Sequence, residues 1–425
     1  MTTADPGPRS LRGLAGVLSA SGATLSANRL LAIALPWFVL TTTGSAAKTG
    51  LVVFCQMGPY VVSQALAGPL IDRIGPKRIS VAGDLTSMAA MTAAPLLFLT
   101  GTLPLWALMA LMAVVGAADG PANAAKGVFV PSVTRAARVP LERGTGLTGA
   151  VERTATTVGP AIAGVVVAAF GSVYALWVAA VLFGLGAAIV AATLANPVPE
   201  AHEAAAGQAG SYLERLREGA EFLRGEGLLR AIAAMVAVTN LLDQAFISVL
   251  LPVWAKDSGH GPVAVGLVVS VFGAASVIAA LVAAGTGDRL PRRAVYLIGF
   301  VIGGIPRFAA MALGIPLWAV LAVLAVGGLG SGFINPIIGA VTYERIPAAL
   351  LGRVRTLTTA LAWSGIPFGG LVGAALVTLA GLTGALWAVG GCYLVAIVLP
   401  GMRKEWSAMG RQSAAAPVPI GPAAE

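Results

Sequence analysis

Gly68-Pro69-Leu70-Ile71-Asp72-Arg73-Ile74-Gly75-Pro76-Lys77-Arg78 and Gly287-Asp288-Arg289-Leu290-Pro291-Arg292-Arg293 read almost alike, each a short basic loop directly after a long apolar run. Their Asp-Arg pairs lie 216 positions apart. The same offset aligns Gly50-Leu51-Val52-Val53 with Gly266-Leu267-Val268-Val269, and Leu35-Pro36 with Leu251-Pro252. An offset of 212 aligns Leu103-Pro104-Leu105-Trp106-Ala107 with Ile315-Pro316-Leu317-Trp318-Ala319, and Asn123 with Asn335. The chain therefore reads as two homologous halves.

Hydrophobic residues fill 57% of the 425 positions and charged residues only 11%, too apolar a balance for a water-soluble domain of this size. Lipid is the expected solvent. About twelve apolar runs approach the roughly 20 residues that cross a bilayer core as a helix, six in each half, so the fold class is an all-α membrane protein. The net charge of +9 does not point to nucleic acid. Of the Lys and Arg residues, all but Lys48, Lys256, Arg29, Arg153 and Arg307 fall on one set of alternating loops or on the tails. By the positive-inside rule those loops and both termini are expected to be cytoplasmic.

The expected organisation is a tail at 1–12, a six-helix bundle at 13–194, a linker at 195–228, a second bundle at 229–405 and a disordered tail at 406–425. In the linker, Leu213, Leu216, Ala220 and Leu223 recur at helical spacing among charged residues, the pattern of an amphipathic helix on the inner membrane surface. The first span has no cleavage site at signal-peptide distance and reads as retained. Cys55 and Cys392 each fall inside a span and read as buried thiols rather than a disulfide or a metal site. No cofactor or metal is expected. The sequence contains no G-x-x-x-x-G-K-[ST] and no soluble domain large enough for nucleotide hydrolysis, which excludes a self-contained ATP-driven pump.

The 68–78 segment resembles the signature loop of the major facilitator superfamily, G-x-L-x-D-R-x-G-x-[RK]-[RK], through Gly68, Leu70, Asp72, Arg73, Gly75, Lys77 and Arg78. The resemblance covers nearly the whole chain and implies two six-helix bundles around a central site, rocking to alternate access. It also implies a conformational latch. Gly68 would let a neighbouring helix approach, Gly75 would permit the turn, and Asp72 would accept hydrogen bonds from the start of span eleven, whose lead-in carries Arg353 and Arg355. Asp84 is placed in the same latch region with Arg78, and Asp288 and Arg289 form its weaker counterpart. Span five carries Gly159-Pro160 and Gly164, similar to the superfamily's antiporter signature, although Ala155 and Ala163 replace two of its glycines. Span four lacks the mid-span arginine of many exporters between Leu108 and Asn123. With Ala34-Leu35-Pro36, Thr43-Gly44-Ser45 and Gly120-Pro121-Ala122-Asn123, these strings resemble the enterobactin-exporter and macrolide-efflux branch.

An ionisable group at mid-bilayer costs about 2.5–3.5 kcal/mol on insertion scales, so each one present needs a partner or a task. Arg29 in span one lies near mid-depth at a rise of about 1.5 Å per residue. Asp243 in span seven lies at similar depth, and its repeat-equivalent position is two residues from Arg29. Superfamily members face these two helices across the cavity, so Arg29 and Asp243 are expected to bracket the substrate, with Asn28, Asn240 and Gln244 adding polar groups. In this reading Asp243 exchanges a proton, and a static buried ion pair is the competing reading. Asp119, Asn123 and Lys126 share one face of span four, with Lys126 expected in the headgroup zone as an anchor or gate. Asn335 is counted with its repeat partner Asn123. Glu152 is the second candidate proton carrier, and Arg307, on a span peripheral in the superfamily, is expected to snorkel.

The function expected is proton-coupled export of a small amphipathic molecule, such as a drug, antibiotic or siderophore, by a monomer in a bacterial inner membrane. Uptake by proton symport is the alternative, and a lipid-flipping or sensor relative is a third reading.

Overall fold

The computed structural model describes residues 10–195, 212–286, 291–347 and 350–402, with Trp406 and Met409. Residues 1–9 of the first expected tail, 196–211 of the linker, the last tail apart from Trp406 and Met409, and the pair Asp288 and Arg289 lie outside the described residues. Among the described residues all regular structure is helical. Local sequence sets where the helices stop. Gly44 (φ 66°) ends α1 (Arg12–Thr43) in the left-handed region that only glycine enters freely. The Ser45 hydroxyl then caps α2 (Ala46–Ala65), accepting from the Lys48 N–H at 3.3 Å. Within the signature loop, α3 (Ala67–Ile74) ends at Gly75 (φ 95°), and Pro76 opens α4 (Pro76–Leu99) at the first helical position. α2 and α3 meet at a 63° bend.

The first half continues through α5 (Leu105–Ala136), α6 (Leu141–Phe170) and α7 (Ser172–Thr193). The linker helix α8 (Tyr212–Gly225) follows, its Leu223 buried in the main core. The second half runs through α9 (Gly227–Ala245), a π-helical turn Phe246–Leu250, α10 (Leu251–Asp257), α11 (Gly261–Thr286) and α12 (Arg292–Ala312). It ends with α13 (Leu317–Ser331), α14 (Ile334–Arg345), α15 (Leu351–Trp363) and α16 (Ile366–Gly401).

Ten helical stretches of the described residues are long and apolar enough to cross a membrane, and the bent α2–α3 pair makes eleven. One of the ten, Val354–Gly401, contains two crossings, because Gly381 inside it is non-helical (φ 68°, ψ 175°). Before that residue the chain runs parallel to α9: Gly365, Gly369 and Gly373 meet Ala237, Leu241 and Ala245 in turn. After it, Gly390 and Gly401 meet Phe308 and Leu297 of α12, in the reverse order. The chain turns back at Gly381 and twelve crossings result.

Close helix approach depends on small residues, as it does wherever lipid competes with side chains for the same apolar surface. Gly116 and Gly120 of α5 lie against the α2 backbone at Gln56 and Tyr60, leaving no room for a Cβ. Gly68 does not act this way. A Cβ there would meet nothing within 4 Å, so its expected packing role is corrected, and in this arrangement it sits in an exposed stretch of α3.

The basic loops define one end of the molecule, and the contacts that join the halves lie toward the other. Gly50 of α2 abuts the Gly370 carbonyl, and Phe54 meets Phe368 with ring centroids 5.7 Å apart. Pro160 O abuts Gly266 of α11, and the Ala161 N–H donates to the Ser270 hydroxyl at 2.9 Å. Lys256 reaches across to the Leu40 carbonyl at 3.3 Å. Pro160 and Gly164 of the span-five signature thus lie on this seam, Gly164 against Pro262, whereas Gly159 packs within its own half against the Arg29 side chain.

Candidate substrate and proton site

On α9, Thr239, Asn240 and Asp243 fall within one helical turn and line a common cavity of about 210 Å³. Asn240 is partly tied down, its amide donating to the Ala362 carbonyl at 2.8 Å. Gln244, one residue further round the helix, instead packs by its Cβ against Gly369 of α16 and is not among the lining residues. Just beyond Asp243 the helix widens into the π turn, with Leu251 N–H bonding to Phe246 O ahead of Pro252. Such turns are rare and recur at functional sites.

Asp243 is ion-paired, but its partner is Arg307 of α12 rather than Arg29. Arg307 is 6% exposed, so its expected snorkelling to the interface is corrected as well. Its guanidinium carbon lies 4.7 Å from the ring centres of both Phe246 and Phe308, 5.4 Å from Tyr393 and 5.9 Å from Phe272. Ring faces attract a desolvated cation by up to about 2 kcal/mol, and this cage offsets part of the cost of burying the charge. The Asp243 side chain is 35% exposed, so the carboxylate is the member of the pair that the cavity reaches. Asn335 lines this cavity and also a second one of about 330 Å³, which extends past Tyr343 and Arg355 at the basic end. The two cavities share Val236, Asn335 and Ile338 in their linings and so adjoin one another between the basic end and Asp243.

In the other half, Arg29 is partly buried on α1, and its electrostatic neighbours are Tyr60 and Glu152. Asn123 neighbours Tyr60. Asn28 donates to both carboxylate oxygens of Asp119, at 3.0 and 3.2 Å. Lys126 is 3% exposed and contacts Asp84 at 2.9 Å, with Thr24 donating to the same carboxylate at 3.4 Å. Two expectations are corrected here. Lys126 is inside the bundle rather than in the headgroup zone, and Asp84 turns inward to it rather than joining Asp72 and Arg78.

At the basic end, Asp72, Arg73 and Arg78 are exposed. Arg355 donates to the Tyr343 hydroxyl of its own half at 2.9 Å. The Arg353 side chain lies outside the described residues. Lys77 donates to the Ala191 carbonyl at the end of α7, at 2.9 Å. Its repeat counterpart, Arg293, donates to the Gly401 carbonyl at the end of α16, at 2.8 Å. Each basic loop caps the last helix of its own bundle, supplying a cation where a helix ends in free carbonyls. Arg292 grips Glu344 with two bonds, at 2.6 and 2.7 Å, and Arg345 meets Glu226 at 3.2 Å; both pairs tie the second bundle together at this end.

The sequence reading missed the role of Arg307 and did not single out Tyr393 or Tyr60. Position within an apolar run was the available signal for Arg307, whereas its aromatic partners come from distant segments.

The family model described as Major Facilitator Superfamily matches residues 17–239 and 233–416. The multidrug efflux pump Tap of Mycobacterium tuberculosis (strain ATCC 25618 / H37Rv) is 30% identical over 411 residues, 95% of this chain and 96% of that protein. Macrolide efflux protein A of Streptococcus pyogenes is 25% identical over 353 residues, 81% of this chain and 84% of that protein. Among solved structures, the nucleoside transporter NupG superposes with a TM-score of 0.73 at 15% identity, covering 94% of this chain and 99% of that one. A bacterial homologue of the lysosomal transporter Spinster superposes at 0.72 with 13% identity, covering 96% and 100%. These structures share the fold.

Proposed function

From the premise that this chain belongs to the Major Facilitator Superfamily, we propose that it exports a small amphipathic molecule by alternating access, driven by protons entering in exchange. The direction and the substrate class are supported by the relatives, named as a multidrug efflux pump and a macrolide efflux protein. The observation that carries the reading is the Asp243–Arg307 pair, whose carboxylate faces a cavity that adjoins the one at the basic end.

In this reading the chain works as a monomer in a bacterial inner membrane, with the basic end and both termini in the cytoplasm. The arrangement described is then inward-facing, with its seam closed on the outer side. An amphipathic molecule enters from the cytoplasm or inner leaflet and places its polar group against Asp243 and Asn240, with its apolar body on Phe272 and Phe300. Contacts that strengthen when the halves close over it shift the population toward the outward-facing state. A proton taken up from outside and released inside resets the cycle.

Inside-out membrane vesicles from expressing cells test this directly. With the vesicle lumen acidified, a labelled macrolide is expected to accumulate in the vesicles, and Asp243→Asn is expected to abolish most of that accumulation. Unaltered accumulation in the variant, at the wild-type pH dependence, would remove Asp243 from the site.

A further inference from the structure

Inside the spans four cations, Arg29, Lys126, Arg153 and Arg307, stand against four acids, Asp84, Asp119, Glu152 and Asp243, but Arg153 is exposed and the buried charges are not matched pair by pair. Arg307 is paired with Asp243. Arg29 has Glu152 as its acidic neighbour. In the remaining cluster, Lys126 faces two carboxylates, Asp84 at 2.9 Å and Asp119, and the charged groups acting on Asp119 are Lys126 and Asp84. Asp84 is 0% and Asp119 4% exposed. One ammonium therefore serves two buried carboxyls.

We infer that the Asp84–Lys126–Asp119 cluster is a single-proton site, holding its extra proton on Asp119. Burying an unpaired carboxylate in surroundings of low dielectric is costly enough that the group takes a proton instead. Lys126 makes its direct contact with Asp84, at 2.9 Å, and Thr24 donates to the same carboxylate. Among the described residues, Asp119 has the neutral Asn28 amide as its hydrogen-bond partner. That amide can turn over to accept from a carboxylic acid and then donate to a carboxylate, so it suits both protonation states.

A second observation points to the same place. Ser80 and Ser87 lie four residues before and three after Asp84, on its face of α4, and both are 0% exposed. Among the described residues their hydroxyls have no hydrogen-bond partner, so unused donors and acceptors lie on the same helix face, one turn to either side of Asp84. The groups around it are Thr24 and Asn28 on α1, Ser80 and Ser87 on α4, and Tyr60 on α2, which neighbours Asp119 and, on its other sides, Arg29 of α1, Asn123 of α5 and Glu152 of α6. Asn28, which holds Asp119, is partly exposed, as are Arg29, Tyr60 and Asn123, and Glu152 is exposed. That side is the way out: the Asp119 O–H bond breaks, the proton passes to water beside Asn28, and the carboxylate that remains is held by Lys126 and the amide.

The existence of this site does not depend on what is transported. Its use as the coupling site rests on the proton-driven export proposed above.

Charge counting makes the test specific. The full-length protein in detergent would be examined by infrared spectroscopy, following the C=O stretch of protonated carboxyls as pH rises past the range of ordinary carboxylates. The wild type should keep one such band. Asp119→Asn and Asp84→Asn should each lose it, because one carboxylate then matches one ammonium. Lys126→Met should gain a second. The band should persist in Asp243→Asn, whose charge belongs to another pair. A band that survives both Asp119→Asn and Asp84→Asn, or that vanishes in Asp243→Asn, overturns the assignment. If Lys126→Met does not fold, the two aspartate variants still decide it. A band that behaves as predicted, in vesicles that take up no labelled macrolide, would leave the site standing and reject the export reading.

Discussion

Removing one member of the Asp243–Arg307 pair leaves the other charge in its cage without compensation. For a fully buried pair that costs about 3–5 kcal/mol; with Asp243 35% exposed, Asp243→Asn is expected to cost less, about 2–3 kcal/mol. Replacing both residues, as Asp243→Asn with Arg307→Met, removes the stranded charge and should recover much of the loss. Thermal unfolding in detergent measures this, and a double variant less stable than the sum of the singles contradicts it. Little of this arrangement was legible in the sequence. Asp243 stood out as an acidic residue in an apolar span, but Arg307 draws its aromatic partners from segments around 246, 272 and 393 as well as its neighbour Phe308. No spacing rule links such positions. The Asp84–Lys126 contact was hidden for a related reason. The second half has Phe300 and Ile338 at the repeat-equivalent positions, so the repeat that organised the reading offered no second example.

At the scale of the helix, two features carry predictions. Lys77 and Arg293 each cap the last helix of their bundle, and a net hydrogen bond to a charged donor contributes about 1.5 kcal/mol or somewhat less at an exposed site. Lys77→Met and Arg293→Met are each expected to lower stability by about 1 kcal/mol. Because they act in different bundles, their effects should add, which unfolding of the double variant checks. The seam between halves carries the other. Gly266 abuts the Pro160 carbonyl, and Gly50 the Gly370 carbonyl, so Gly266→Leu inserts a side chain where backbones touch. It should shift the population toward the arrangement in which that end is open. Labelling of single cysteines placed near Phe54 should rise in this variant, and unchanged labelling would contradict the seam. Helix boundaries at this scale were largely legible, because Gly44, Ser45, Gly75 and Pro76 act on their immediate neighbours. The role of Gly68 was not, since whether a glycine faces a partner or open space depends on packing.

For the whole molecule, the twofold repeat, the span lengths and the loop charges were readable because they follow from composition and order alone. How the halves meet is not, since alternating access allows one sequence two arrangements. The described arrangement closes at the end away from the basic loops and leaves Asp243 facing a cavity that adjoins the one at the basic end. The central claim is that cells use this cycle to expel an amphipathic compound at the expense of a proton gradient. The most direct measurement is the steady-state level of a labelled macrolide inside cells with and without this protein, before and after the proton-motive force is collapsed. Expressing cells should hold several-fold less until collapse, and then the same amount as controls; a higher level in expressing cells, or a difference that survives collapse, would contradict proton-driven export.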